Sequence, residues 1–369
     1  MTSKLYRAVH VALLLLALPG SLAAVTQGIG CNRVALDPSP SWTNSAAWSE
    51  DGKELTLVDI LGGRLLRYSN GKYSGSVARP GMGELEFNQP SALTAIPGGY
   101  LLASPPGKVI WLNRGFDPFR GLDLLKAGKG GHIQGKLEIF DWEYPQLFGN
   151  YFLGTAVLHI DGKPWKGLVR ASLKPFELTD LIEEIDYNAP EDRLFRLLGT
   201  ESAASGGGDY VLRWARPTAY ILQIWPQKRR LKTFPPGFEA LPALPQGVGG
   251  MEGGPILYKA LERSTLAVGL YGQGAYLYLL ARKPAGQGTL WQLWQIDPQR
   301  DTIIRSMTLP TQANHLFLAP GPINWAVIEK GPVIQMGSQS IKSMLLLPSS
   351  WIEDTASKVL ADGNAVSCH

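Results

Sequence analysis

Six times along this chain a turn built on glycine leads into an apolar run long enough for one β-strand. The copies are DGKELTLVD (51–59), PGGYLLAS (97–104), FGNYFLGTA (148–156), GGDYVLRWA (207–215), QGAYLYLLA (273–281) and PGPINWAVI (320–328). With Gly52, Gly99, Gly149, Gly208, Gly274 and Gly321 as markers, the spacings are 47, 50, 59, 66 and 47 residues. A period of about 50 holds several strands. A unit of that kind cannot bury its own faces, so the copies must pack against one another.

Strand-like pieces flank every marker. The first unit reads Ser45–Trp48, the marker, Gly63–Tyr68 and Tyr73–Ala78. The second reads Ser91–Ile96, Tyr100–Ala103, Lys108–Leu112 and Leu122–Lys126. The third reads Leu137–Trp142, Tyr151–Val157, Gly167–Ala171 and Leu178–Ile185. The fourth reads Leu194–Leu198, Tyr210–Trp214, Ala219–Trp225 and Arg229–Thr233. The fifth reads Leu266–Leu270, Ala275–Leu280, Thr289–Gln295 and Thr302–Leu309. The sixth reads His315–Leu318, Asn324–Ile328, Pro332–Met336 and Ile341–Leu347. Four short strands joined by Gly, Pro, Asn and Asp turns form an antiparallel meander. Six such sheets set radially predict an all-β fold, a six-bladed β-propeller of four-stranded antiparallel blades over residues 31–348. A sandwich or barrel is the alternative, but neither needs six copies of one phrase; a doubly wound fold is disfavoured, because no amphipathic helices of about 10–15 residues alternate with the strands. Pro- and Gly-rich residues 233–255 read as a long loop between units four and five, and residues 187–208 as a polar loop ending in a Ser/Gly run. Residues 349–369 read as a polar tail with weak helical character.

The ends of the chain set its compartment. Lys4 and Arg7 precede an apolar run, Val9 to Leu18, which Pro19-Gly20 breaks before the small residues Ser21-Leu22-Ala23. This is the pattern of a secretory signal peptide over residues 1–23. The run is too short to span roughly 30 Å of hydrocarbon, and no transmembrane segment is expected after cleavage. The expected location is secreted or periplasmic. Cleavage removes Lys4 and Arg7 and no anion, so the formal charge falls from +4 to +2. That balance excludes a nucleic-acid partner. The one basic cluster, Lys228-Arg229-Arg230-Leu231-Lys232, reads as an exposed outer strand. A monomer is expected.

The two cysteines, Cys31 and Cys368, stand at opposite ends of the mature chain. In an exported protein such a pair is a disulfide candidate. The bridge would close a loop of more than 330 residues, which the chain-entropy view credits with about 5 kcal/mol. It would also staple the seam where a ring must join its last blade to its first.

Propeller sites lie at the mouth of the central channel, beside the entrances to the innermost strands. The polar residues at those entrances are Asn44, Asn88 with Glu86, Asp141 with Glu143, Glu201, and Asn314 with His315. The oxygens of Asn44, Asn88, Asp141 and Asn314 are candidate ligands for Ca²⁺, the one cofactor the pattern suggests. Glu86, Glu143, Glu201 and His315 are candidates for the binding face. Asn and Asp also favour such positions because they tolerate turns and bond their own backbone. No Gly-x-Ser-x-Gly elbow, Walker loop or His-Glu-x-x-His occurs, and the few histidines lack metal-ligand spacing.

The first unit, SAAWSEDGKELTLVDILGGRLLRY (45–68), resembles the opening blade of the senescence-marker-protein/gluconolactonase family. The matching residues are Trp48, Gly52, Asp59, Ile60, Gly63, Arg64, Arg67 and Tyr68. LEFNQPSALTAIPGGYLLAS (85–104) is similar to NHL-type propeller repeats. The resemblance implies a six-bladed propeller that hydrolyses lactones or phosphoesters with a divalent metal, usually calcium. The family's first ligand is a Glu four residues before the Trp that ends the first inner strand. The matching position here is Asn44, which lacks a charge and a base.

Two functions follow as expectations. The first is a scaffold that binds a small molecule or a protein at the central channel face, without chemistry. The alternative is a calcium-dependent lactonase with an altered metal site.

Overall fold

The structure, a computed structural model, describes residues 31–105, 107–125, 137–148, 150–174, 176–185, 201–214, 219–236, 238, 264–285, 288–335 and 338–353. The expected signal peptide, residues 1–23, lies outside them, as do Cys368 and the tail beyond residue 353.

The chain is a six-bladed β-propeller. The first strand in the chain, β1 (Asn32–Ala35), belongs to the last blade. Blade one is β2 (Ala46–Trp48), β3 (Glu54–Asp59), β4 (Arg64–Ser69) and β5 (Lys72–Val77). Blade two is β6 (Ala92–Ile96), β7 (Gly99–Ser104), β8 (Lys108–Asn113) and β9 (Pro118–Asp123). Blade three is β10 (Leu137–Phe148), β11 (Tyr151–Ile160), β12 (Lys163–Leu173) and β13 (Phe176–Glu184). Blade four is β14 (Glu201–Ser205), β15 (Gly208–Trp214), β16 (Ala219–Trp225) and β17 (Arg229–Arg230). Blade five is β18 (Leu266–Gln273), β19 (Tyr276–Ala285), β20 (Gly288–Asp297) and β21 (Thr302–Thr308). Blade six is β22 (His315–Ala319), β23 (Asn324–Gln335), β24 (Ser338–Pro348) and, outermost, β1. Every strand pairing within the blades is antiparallel, and all but β1 against β24 join neighbours in the chain. A short helix, α1 (Ser349–Glu353), follows β24.

The second strand of each blade is the glycine-led apolar run of the sequence. It is buried on both faces because each sheet is clamped between two neighbours, which explains near-continuous apolar runs in place of alternation. Along β23, Trp325 and Val327 join the cluster shared with blade five, whereas Ala326 and Ile328 join the one shared with blade one. The core is therefore a ring of inter-blade layers.

Expected strands move in three blades. The inner strand of blade four is Glu201–Ser205, whereas the expected Leu194–Leu198 lies outside the described residues. Small residues suit this position because the axis is crowded: a Cβ on Gly272 of β18 would sit 1.9 Å from the Ala204 carbonyl oxygen. The outer strand of blade two is Pro118–Asp123 and not Leu122–Lys126. In blade six, Pro332 falls inside β23, so Ile341–Leu347 is part of the third strand, and β1 supplies the fourth. Ring closure thus comes from the N-terminal strand pairing Asn32 with Leu346 through to Ala35 with Ser343.

Polar latches join the blades. Arg229 of β17 donates to Gln223 Oε1 at 2.5 Å and to the Pro298 carbonyl of blade five at 2.8 Å. Arg305 of β21 repeats this with Gln295 Oε1 at 2.9 Å and the Trp351 carbonyl at 3.2 Å, so α1 takes the place of a next blade's turn. The basic cluster of the sequence is thus partly structural: Arg229 latches two blades, and Lys228 donates to the Ile182 carbonyl of blade three.

Candidate functional site at the channel mouth

Blades six and one meet at the face where the chain enters the inner strands. His315 opens β22 and lies opposite Lys330 of β23. Lys330 is 9% exposed. Its ammonium donates to Asn44 Oδ1, across the blade boundary, at 2.5 Å. The same ammonium stands 5.0 Å from the centre of the Phe317 ring, a cation–π arrangement. Burial holds the His315 imidazole below its ordinary pKa, and the positive charges of Arg282 and Lys330 push it the same way.

On the opposite face of β23, Glu329 is 8% exposed. It accepts hydrogen bonds from Thr311 Oγ1 and, at 2.6 Å, from Ser343 Oγ, and forms an ion pair with Arg33 of β1. The last residue pair before Gly331-Pro332 therefore splits its duties. Glu329 clasps the closing strand, and Lys330 reaches to blade one. The ladder between β23 and β24 slips between Lys330 and Val333. Proline has no N–H to give a partner strand, and such irregularities open space beside sites. A cavity of about 280 Å³ lies there, lined by Gln312, Ala313, Asn314, Glu329, Lys330, Gly331 and Ser343.

Of the residues singled out in the sequence, the structure brings three together: Asn44, Asn314 and His315, all beside Lys330. Asn88 is exposed and turned into its own loop, where its Oδ1 accepts from Gly81 N at 2.7 Å and its Nδ2 faces Met82 Sδ at 3.5 Å. Glu86 accepts from Gly83 N at 2.8 Å in the same loop, which wraps the Lys108 ammonium with its carbonyls at 2.6 and 2.9 Å. Asp141 and Glu143 lie within β10, opposite Val157 and Thr155, and Glu201 opens β14 opposite Leu212. The side chains of these three acids are outside the described residues. Cys31 is buried; its expected partner is not described.

The family-like hairpin of blade one is accounted for by structure. Asp59, fully buried, accepts from Ser41 N at 2.9 Å, Gly62 N at 3.1 Å and Arg64 Nε at 3.0 Å, fixing the turn at residues 60–63. Arg67 pairs with both oxygens of Glu54 at 2.9 Å.

The mouth does not fit a divalent cation on Asn44. The oxygen that would ligate it already takes an ammonium. Two unit charges ~4 Å apart repel by roughly 4 kcal/mol at an effective dielectric constant of about 20, and a divalent ion doubles that. Among the described residues, no three His, Cys, Asp or Glu side chains converge. Lys330 was not foreseen. Its signal was an ionisable pair, Glu329-Lys330, directly after the buried apolar run Trp325–Ile328 of β23.

No family model matches the sequence, and no curated protein does. Among solved structures, a gluconolactonase from Xanthomonas campestris is 11% identical, with 88% of this chain and 93% of that one covered and a TM-score of 0.48. A luciferin-regenerating enzyme is 11% identical over 86% of this chain and 97% of that one, with a TM-score of 0.45. Regucalcin, a calcium-binding protein from Agrobacterium tumefaciens, is 12% identical over 85% and 92%, with a TM-score of 0.43.

Proposed function

We propose that this chain is an exported, monomeric propeller that binds a small molecule or a partner protein at the channel mouth and does no chemistry on it. The observation that carries the reading is the Lys330–Asn44 hydrogen bond. It fills the position that would hold the first metal ligand of a lactonase with a resident cation. The latches between blades favour a rigid face, on which loops and strand ends can present a fixed surface. Export follows from the leader-like residues 1–23, and an oxidising destination permits a Cys31–Cys368 bridge.

The competing reading is a calcium-dependent lactonase. The two separate in a hydrolysis assay of the mature protein on a panel of aldonolactones, with calcium or with EDTA. The binding reading expects turnover no faster than buffer and no response to EDTA. Saturable, EDTA-sensitive turnover overturns it.

A further inference from the structure

We propose that a second cavity between blades six and one, at the end of their seam opposite the channel mouth, binds a small neutral polyhydroxylated molecule of monosaccharide size. The inference does not depend on the channel mouth being a binding site.

The place follows from strand direction. His315 opens β22 at the mouth, and β22 ends at Ala319, after which the chain turns and Asn324 begins β23. In blade one, Asn44 precedes β2 and Trp48 ends it. Trp48 and Asn324 line the cavity, so it lies at the far end of the seam from Lys330. Its walls form because turns of blade one press on blade six. A Cβ on Gly52 would stand 2.9 Å from Pro322 Cγ, and one on Gly71 would stand 2.8 Å from Val34 Cγ2. Asn70-Gly71 is the two-residue hairpin turn between β4 and β5, with both residues at positive φ. Asn70 N donates to the Lys53 carbonyl at 3.2 Å, which ties this turn to the start of β3.

Size and lining then select the ligand. The volume is about 190 Å³. That is below the roughly 300–1,000 Å³ of sites for drug-sized molecules, and at a share of roughly 30 Å³ each it corresponds to about six waters. Such a space suits a molecule with one ring. The floor is apolar and buried: Trp48, Leu55, Tyr68 and Met344. Both aromatic rings have their polar atoms engaged, Trp48 Nε1 with the Ala319 carbonyl at 3.0 Å and the Tyr68 hydroxyl with the Pro38 carbonyl. They offer the cavity carbon surface only. The rim is made of amides. Asn32 and Asn70 are exposed and Asn324 is half-buried, and among the described residues none of these three side chains makes a hydrogen bond. The one charged residue in the lining, Lys53, has Asp51 at 3.7 Å.

An ion would therefore meet no uncompensated charge to offset its desolvation. An amide carries donors and an acceptor, and a hydroxyl carries a donor and two lone pairs, so each hydroxyl can meet either end of an amide. A sugar ring has C–H surface on its faces and hydroxyls around its edge. Apolar floor and amide rim match that division, and a few polar groups over apolar surface is the usual make-up of a small-molecule site.

The test is calorimetric titration of the mature protein with D-glucose, D-galactose and myo-inositol, and with cyclohexanol as a six-membered ring bearing one hydroxyl. Heat of binding is the readout, because concentrated sugars raise melting temperatures merely by exclusion from protein surfaces. Saturable binding of at least one polyol, on the order of millimolar and tighter than cyclohexanol, is expected. Asn70→Gly removes one amide and keeps a residue suited to positive φ. Asn32→Ala removes another from an exposed strand position. Each should weaken binding about two- to tenfold, the worth of one neutral hydrogen bond. Weakening in either folded variant supports the site. No saturable heat with any polyol, cyclohexanol binding as tightly as the polyols, or unchanged affinity in both variants overturns it.

Discussion

The ammonium of Lys330, in blade six, donates to the side-chain oxygen of Asn44, in blade one, at 2.5 Å, and so bridges the seam where the ring closes. A hydrogen bond to a charged group contributes about 1.5–3 kcal/mol net, whereas replacing both partners by apolar groups of similar shape is nearly neutral. Asn44→Ala should therefore lower the unfolding free energy by about that amount. The double variant Asn44→Leu with Lys330→Met should lose less than the sum of the two single changes. A double-mutant cycle by urea denaturation measures the coupling. Additive losses would show that the two side chains do not interact.

The clasp on the closing strand offers a second test. Arg33→Ala removes the cation that faces buried Glu329 across β24. Arg33 itself is half-exposed, so solvent screens part of the interaction. The expected loss is about 1–2 kcal/mol, and the first segment to exchange amide hydrogens faster should be β1. Protection lost evenly over all blades would contradict the clasp.

Two glycines separate crowding from backbone conformation. Gly272→Ala would place a methyl group 1.9 Å from the Ala204 carbonyl oxygen, between the inner strands of blades four and five. Overpacking of that kind costs about 1–3 kcal/mol, occasionally more. At Gly207 nothing lies within 4 Å, but φ is +78°. Gly207→Ala should cost only the conformational term of about 1–2 kcal/mol. Melting of the two variants ranks them, with Gly272→Ala expected to be the less stable.

Acid should weaken the fold through His315. Its folded-state pKa is lowered by burial and by the charges of Arg282 and Lys330. The unfolded chain therefore takes up a proton at a pH where the folded chain does not. Stability is complete above the ordinary histidine value of about 6.5 and falls as pH drops from there toward the lowered value, below which this contribution is flat. His315→Gln should flatten that limb of the stability curve while leaving the region above about pH 7 parallel to wild type.

Much of this fold was legible because its repeat is physical. A blade's second strand is buried on both sides, so its apolar run recurs wherever a blade recurs, and Gly52, Gly99, Gly208 and Gly274 mark the turns before it. The inner strand of blade four escaped because crowding at the axis selects Ala203, Ala204 and Ser205, which read as a loop. The closing strand escaped because β1 pairs with residues more than 300 positions away, and no local pattern records such a partner. At the site, the entrance rule found Asn44, Asn314 and His315. It missed Lys330, the residue that joins them, because a lysine inside a strand carries no turn or motif signal. Asn88 and Glu86 illustrate the opposite error: they occupy an entrance loop but spend their hydrogen bonds holding it.

The central claim is that Lys330 takes the place of a metal at Asn44. Calorimetric titration of calcium into the mature protein tests it most directly. The account predicts no saturable heat and no rise in melting temperature. Saturable calcium binding that Asn44→Ala abolishes would contradict it.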